Sequence, residues 1–184
     1  MPQEPTEKIS VRNRDHEIPI EVYSSLPRHP VTVVLENLRS KFNVGAIFRT
    51  CECARVEKVF TCGYTAHPPD EQVLKTAMGT CEFVPHEHLD DSAEAVKRMR
   101  EAEIPIFALE TTSGSRSIYE VSFPARVCLV VGNEALGVSS RVLEAADTIV
   151  EIPMHGYKNS LNVASALSIT LFEVLHQWGA APGR

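Results

Sequence analysis

An α/β fold with a mainly parallel sheet and helices on both faces is predicted by three features of the sequence. Short β-branched and apolar runs alternate with segments of helical period along the whole chain. Two of those runs, Val31-Thr32-Val33-Val34-Leu35 and Val127-Cys128-Leu129-Val130-Val131, are continuously apolar, as in strands covered on both faces. Most runs pass into a polar loop and then a helix start, the order of βα units. At 184 residues, 43% hydrophobic and 23% charged, the chain is long enough to bury a core as one domain.

Residues 1–30 are polar, contain several prolines and show no sustained period, so they read as an N-terminal arm preceding a domain over residues 31–184. The first strand covers residues 31–35. After a polar loop, Asn43 is placed to cap a helix running to about Ala54, with Val44, Ile47, Phe48, Cys51 and Ala54 on its buried face. Residues 58–62 form a second strand, 71–77 a helix ending before Gly79, and 82–85 a short strand. Asp91 or Ser92 caps an amphipathic helix over 93–102, with Ala95, Val96 and Met99 inward. Residues 104–109 are the next strand, with Pro105 near its start where a missing donor matters least. A Ser/Thr/Gly loop over 111–116 precedes the strand at 127–131, then a helix over 139–146 and a strand over 147–152 stopped by Pro153. Ser160 or Asn159 caps the last helix, which runs to about Trp178. Its apolar residues cover most of its circumference, which predicts burial on several sides.

Composition excludes several classes. A net charge of −6 argues against gripping nucleic acid by bulk charge. No apolar run reaches membrane-spanning length, and Met1 to Asp15 lacks the apolar centre of a signal peptide, so a cytoplasmic protein is expected. Five irregularly spaced cysteines fit reduced thiols. There is no CxxC pair, and His86-Glu87-His88 offers two ligands without a third, so no metal is expected.

In parallel sheets, ligands sit beyond the carboxyl ends of the strands. Three loops qualify: residues 109–116, 132–137 and 154–162. The middle one is glycine-rich, yet Glu134 stands where a dinucleotide fingerprint needs its second glycine, and no GxxxxGK[ST] loop exists. Arg49 follows Phe48 at the edge of the first helix's apolar face, where an isolated helix would pair it with Glu52.

Three segments together carry a resemblance. Asn43-Val44-Gly45-Ala46-Ile47-Phe48-Arg49-Thr50, Val131-Gly132-Asn133-Glu134-Ala135-Leu136-Gly137, and Ile152-Pro153-Met154 through Ser160-Leu161-Asn162-Val163-Ala164 resemble, in order and separation, the three motifs of the SpoU (TrmH-like) branch of the SPOUT methyltransferases. The resemblance spans roughly residues 31–178 and implies a 2′-O-ribose methyltransferase that uses S-adenosyl-L-methionine on tRNA or rRNA. It further implies a homodimer and a C-terminal trefoil knot, which the physics of an unaligned sequence would not propose. Carried over to this numbering, Leu109, Glu110, Gly132, Asn133, Ile152, Met154, Ser160 and Leu161 would hold the cofactor. Arg49 would be catalytic, with Asn43, Glu134, Ser160 and Asn162 around it, and Glu134 would anchor a guanidinium, in its own chain or across subunits. Because a guanidinium is essentially never neutral, Arg49 fits better as a cation beside the developing alkoxide than as a base. Arg39, Lys41, Arg116 and Lys158 lie in or near the three loops and form a candidate RNA-binding rim, with Arg12, Arg14 and Arg28 as weaker candidates. The rival readings are a non-catalytic RNA-binding or assembly module on the same fold, and an unrelated nucleotide-binding α/β enzyme. The missing fingerprints argue against the second.

Overall fold

The computed structural model describes residues 19–180; residues 1–18, with Arg12 and Arg14, lie outside the described part. Within the described part, the residues from Arg28 onward form one compact unit. The helix α1 (Ile20–Ser25) belongs to a second unit and is a six-residue element with no buried side chain.

Seven strands make one sheet in the order β3-β2-β1-β6-β4-β7-β5, and all its ladders are parallel, as predicted. They are β1 (His29–Glu36), β2 (Val56–Cys62), β3 (His86–Leu89), β4 (Ile106–Leu109), β5 (Arg116–Ser117), β6 (Val127–Val131) and β7 (Thr148–Glu151). The two continuously apolar runs lie side by side near the middle, where both faces are covered. Alternation along β1 divides the core. Val31, Val33 and Leu35 pack with α2 (Lys41–Cys53), α3 (Glu71–Ala77) and α6 (Val163–Gln177). Val34 faces the other way, toward α4 (Ser92–Glu101) and α5 (Ser140–Ala145).

Several predicted elements are corrected. In place of a strand at 82–85, residues Thr80–Glu82 form a 3₁₀ turn, since the amides of Phe83 and Val84 bond back to the Thr80 carbonyl. Pro85 has no amide to donate, and the ladder begins one residue later, placing His86 and His88 in β3 rather than a loop. β5 falls where a loop is predicted, a two-residue strand fixed by pairing with β7. α2 starts at Lys41 under a Ser40 cap, not at Asn43, whose side chain has another use. α6 starts under an Asn162 cap rather than Ser160 or Asn159.

The predicted burial of α6 on several sides is also revised. Its sheet-facing stripe of Ala164, Leu167, Leu171, Val174 and Leu175 is buried, but Ile169 and Phe172 are 37% and 50% exposed. Within one chain, the helix is met by the sheet, by α2 and, at its far end, by residues 118–123.

Candidate active site

β6, β4 and β7 are neighbours in the sheet, so the loops at their carboxyl ends meet. Between them lies a cavity of about 630 Å³, a volume suited to a small molecule. Leu109, Glu110, Gly132, Asn133, Ile152, Met154, Ser160 and Leu161 all line it.

The loop after β6 is closed on itself. Asn133 and Gly137 exchange backbone hydrogen bonds of 3.0 and 2.8 Å, and Asn133 Oδ1 accepts from the amides of Ala135 and Leu136. A side chain at Gly132 would overlap the Gly137 carbonyl and the Val138 nitrogen, so only glycine fits this crossing of two backbones. Two carboxylates brace the far end of the loop. Glu110 accepts from the Val138 amide at 2.9 Å, and Glu36 from the next amide, Ser139, at 2.8 Å. Glu36 is 2% exposed and also accepts from the hydroxyls of Ser92 and Ser139. Sequence reasoning passed over Glu36 as a loop residue; the usable signal was an acid directly after an apolar strand.

Glu134 turns the other way, onto the start of α2. It accepts from the amides of Arg39 and Ser40 at 2.8 and 3.1 Å and from Asn43 Nδ2 at 2.8 Å. The amino end of a helix favours a carboxylate there. Partial burial raises the Glu134 carboxyl, but the hydrogen bonds from Arg39, Asn43, its own amide and Ser40 outweigh this and hold it below the ordinary range. Asn162 completes the chain: its Nδ2 donates to Asn43 Oδ1 at 2.9 Å, while its Oδ1 caps α6. Of the predicted cluster, Asn43, Glu134 and Asn162 are thus bonded in series, and Ser160 lies exposed at the cavity wall.

Glu134 and Arg49 are not joined within one chain. Within the chain, the partners of Glu134 are amides rather than a guanidinium. Arg49 does not line the cavity; it is exposed on α2, about 9 Å along the axis from Asn43, with Nη1 3.1 Å from Met78 Sδ. The predicted rim is uneven. Lys41 is paired with Asp70 at 2.7 Å, and Arg116 reaches the Glu120 carbonyl at 3.5 Å. Arg39 and Lys158 are exposed, and Arg28 donates to the Phe83 carbonyl at 2.6 Å.

Charge narrows what the cavity can hold. Glu110, Glu134 and Glu151 line it, and no Lys, Arg or His does. That lining repels phosphates and suits a neutral or cationic ligand with apolar and hydrogen-bonding parts.

The chain is similar to known proteins over most of its length. The chain is 26% identical over 164 residues to a 23S rRNA (guanosine-2'-O-)-methyltransferase of Ralstonia nicotianae, covering 89% of this chain and 66% of that protein. It is 31% identical over 147 residues to the tRNA (guanosine(18)-2'-O)-methyltransferase of Thermus thermophilus, covering 80% and 75%. The AdoMet-bound rRNA methyltransferase from Sinorhizobium meliloti superposes with a TM-score of 0.76 at 26% identity, over 82% of this chain and 57% of that one. The chain therefore spans between just over half and three quarters of the length of these proteins. Residues 30–172 match the SpoU rRNA Methylase family, and the chain belongs to that family.

Proposed function

We propose that this chain transfers a methyl group from S-adenosyl-L-methionine to a ribose 2′-hydroxyl of tRNA or rRNA. The observation that carries this is an acid-lined, cation-free cavity at the ends of β6, β4 and β7. A sulfonium is a cation, and the negative charge of Glu110, Glu134 and Glu151 around the cavity favours it where a dinucleotide's phosphates would be repelled. The apolar side chains of Leu109, Ile152 and Leu161 suit an adenine, and the Gly132 crossing lets backbone approach it closely. When bound, this cofactor supplies an already activated methyl group.

The chain's own task is then to place a ribose hydroxyl and stabilise its developing charge. Arg49 is the permanent cation suited to that role. It lies beside Thr50, whose hydroxyl is 2.9 Å from that of Ser168 on α6, within about one turn of the exposed Ile169 and Phe172. We propose that a second copy covers this stripe and that Arg49 of one copy serves the cavity of the other. The knotted threading belongs to the same proposal: β7 lies between β4 and β5, two strands that precede it in sequence. The site of action is the cytoplasm, where tRNA and rRNA are met; among the described residues, no helix is long and apolar enough to cross a membrane.

The test is transfer of labelled methyl groups to unmodified tRNA and rRNA by the wild type and by Arg49→Ala. Loss of one transition-state cation is expected to lower turnover about 10²–10³-fold while cofactor affinity is kept. Cofactor binding by the wild type without transfer to either RNA would refute the activity, and failure to bind the cofactor would refute the site.

A further inference from the structure

Tyr64, in the loop after β2, is 61% exposed, yet its hydroxyl is hydrogen-bonded within the chain. Asn133 Nδ2 lies 2.6 Å from that hydroxyl and 2.8 Å from the Asn37 carbonyl, so Tyr64 is tethered to the same residue that closes the cavity loop. The Tyr64 amide donates to Asn37 Oδ1 at 3.4 Å. The next residue, Thr65, is 1% exposed and locked between the Leu35 carbonyl and the Leu38 amide. Both ends of the residue are therefore fixed, and more than half of it stays exposed. The tether accounts for the hydroxyl; it does not account for an immobilised aromatic surface left in water beside the site.

We propose that Tyr64 is a stacking platform for a nucleobase of the RNA substrate. Unpaired bases are recognised by stacking on aromatic rings, and a ring already fixed in place loses little freedom on binding. The surroundings suit an RNA strand: Arg39 is exposed one residue beyond Leu38, whose amide Thr65 holds. Asn133 joins the platform to the cavity wall, so a base stacked on Tyr64 puts its strand at the edge of the site.

The proposal rests on RNA being the substrate, and the test separates the two claims. Binding of fluorescently labelled tRNA and rRNA transcripts is measured by anisotropy without cofactor, for the wild type, Tyr64→Phe and Tyr64→Ala. Methyl transfer kinetics and S-adenosylhomocysteine affinity are measured in parallel. Tyr64→Ala is expected to weaken RNA binding and raise the RNA KM by roughly 5- to 100-fold, with kcat nearly unchanged. The slope of log affinity against log salt should stay the same, because no phosphate contact is lost. Tyr64→Phe keeps the ring and loses only the tether, so it should lose a small fraction of the RNA affinity that Tyr64→Ala loses, and S-adenosylhomocysteine affinity should not move in either variant. Unchanged RNA affinity in Tyr64→Ala overturns the platform while leaving the activity intact. Equal damage from Phe and Ala also overturns it, since the hydroxyl tether alone would then matter. Tyr64-dependent RNA binding with no methyl transfer overturns the activity and leaves the platform standing. A wild type that neither binds nor methylates RNA overturns both.

Discussion

Asn162 Nδ2 donates to Asn43 Oδ1 at 2.9 Å, linking residues 119 positions apart. The same Asn162 caps α6 through its Oδ1, and the same Asn43 donates to Glu134. One amide thus ties the start of α6 to the start of α2 and, through Glu134, to the cavity loop. Asn162→Ala removes both the cap and the link. Cap loss costs about 0.5–2 kcal/mol, so the thermal midpoint should fall by a few degrees. Cofactor affinity, read by calorimetry, should fall with it, whereas a cap alone would leave affinity untouched.

Glu36→Gln tests the brace beneath the cavity. Three donors point at this buried carboxylate: the Ser92 hydroxyl and the Ser139 amide and hydroxyl. An amide in its place sets an N–H group against one of them, which costs about 1–3 kcal/mol. Urea denaturation should report that loss, and cofactor binding should weaken because Ser139 directly follows the loop.

Gly132→Ala places a methyl against backbone atoms of Gly137 and Val138, which cannot rotate away. Overpacking of about 1–3 kcal/mol, concentrated in the cavity wall, corresponds to a loss of cofactor affinity of roughly 5- to 150-fold.

Acid should open the link between the cavity loop and α2. The Glu134 carboxyl titrates below its ordinary value of 4.5 because, against the opposing effect of burial, the hydrogen bonds from Arg39, Asn43, Glu134 and Ser40 favour the charged form. A group lowered in this way contributes its stabilisation fully above the unfolded value and loses it as pH falls through the folded one. The Arg39 and Ser40 amides should keep their NMR shifts down to about pH 4.5 and lose them below. In Glu134→Gln that transition should be absent.

Phe172→Glu puts a charge in the exposed stripe of α6 and should convert a dimer to a monomer by analytical ultracentrifugation. Mixing Arg49→Ala with Gly132→Ala supplies an intact cavity from one copy and an intact arginine from the other. If the two act across a twofold interface, the mixture should recover roughly a quarter of wild-type transfer. No recovery would place Arg49 in the service of its own chain.

The parts legible in the sequence were those set by local pattern. The apolar runs of β1 and β6, and the loops that follow β4, β6 and β7, needed only period and punctuation to be found. Helix starts were harder, because segments dense in Ser and Asn offer several caps. Ser40 won over Asn43 because Glu134, far along the chain, engages the Asn43 side chain. β3 and β5 were missed because short strands owe their existence to neighbouring strands. Arg49 could be assigned to a helix edge, but period alone does not say which cavity, its own or another copy's, that edge faces.

The sheet order has a consequence for the birth of the molecule. β7 slots between β4 and β5, which are made before it, and it carries one wall of the cavity. Residues 151–166, which line the cavity, are therefore made after six of the seven strands. Retention on an immobilised S-adenosylhomocysteine column should therefore count only molecules in which this last stretch has taken its place.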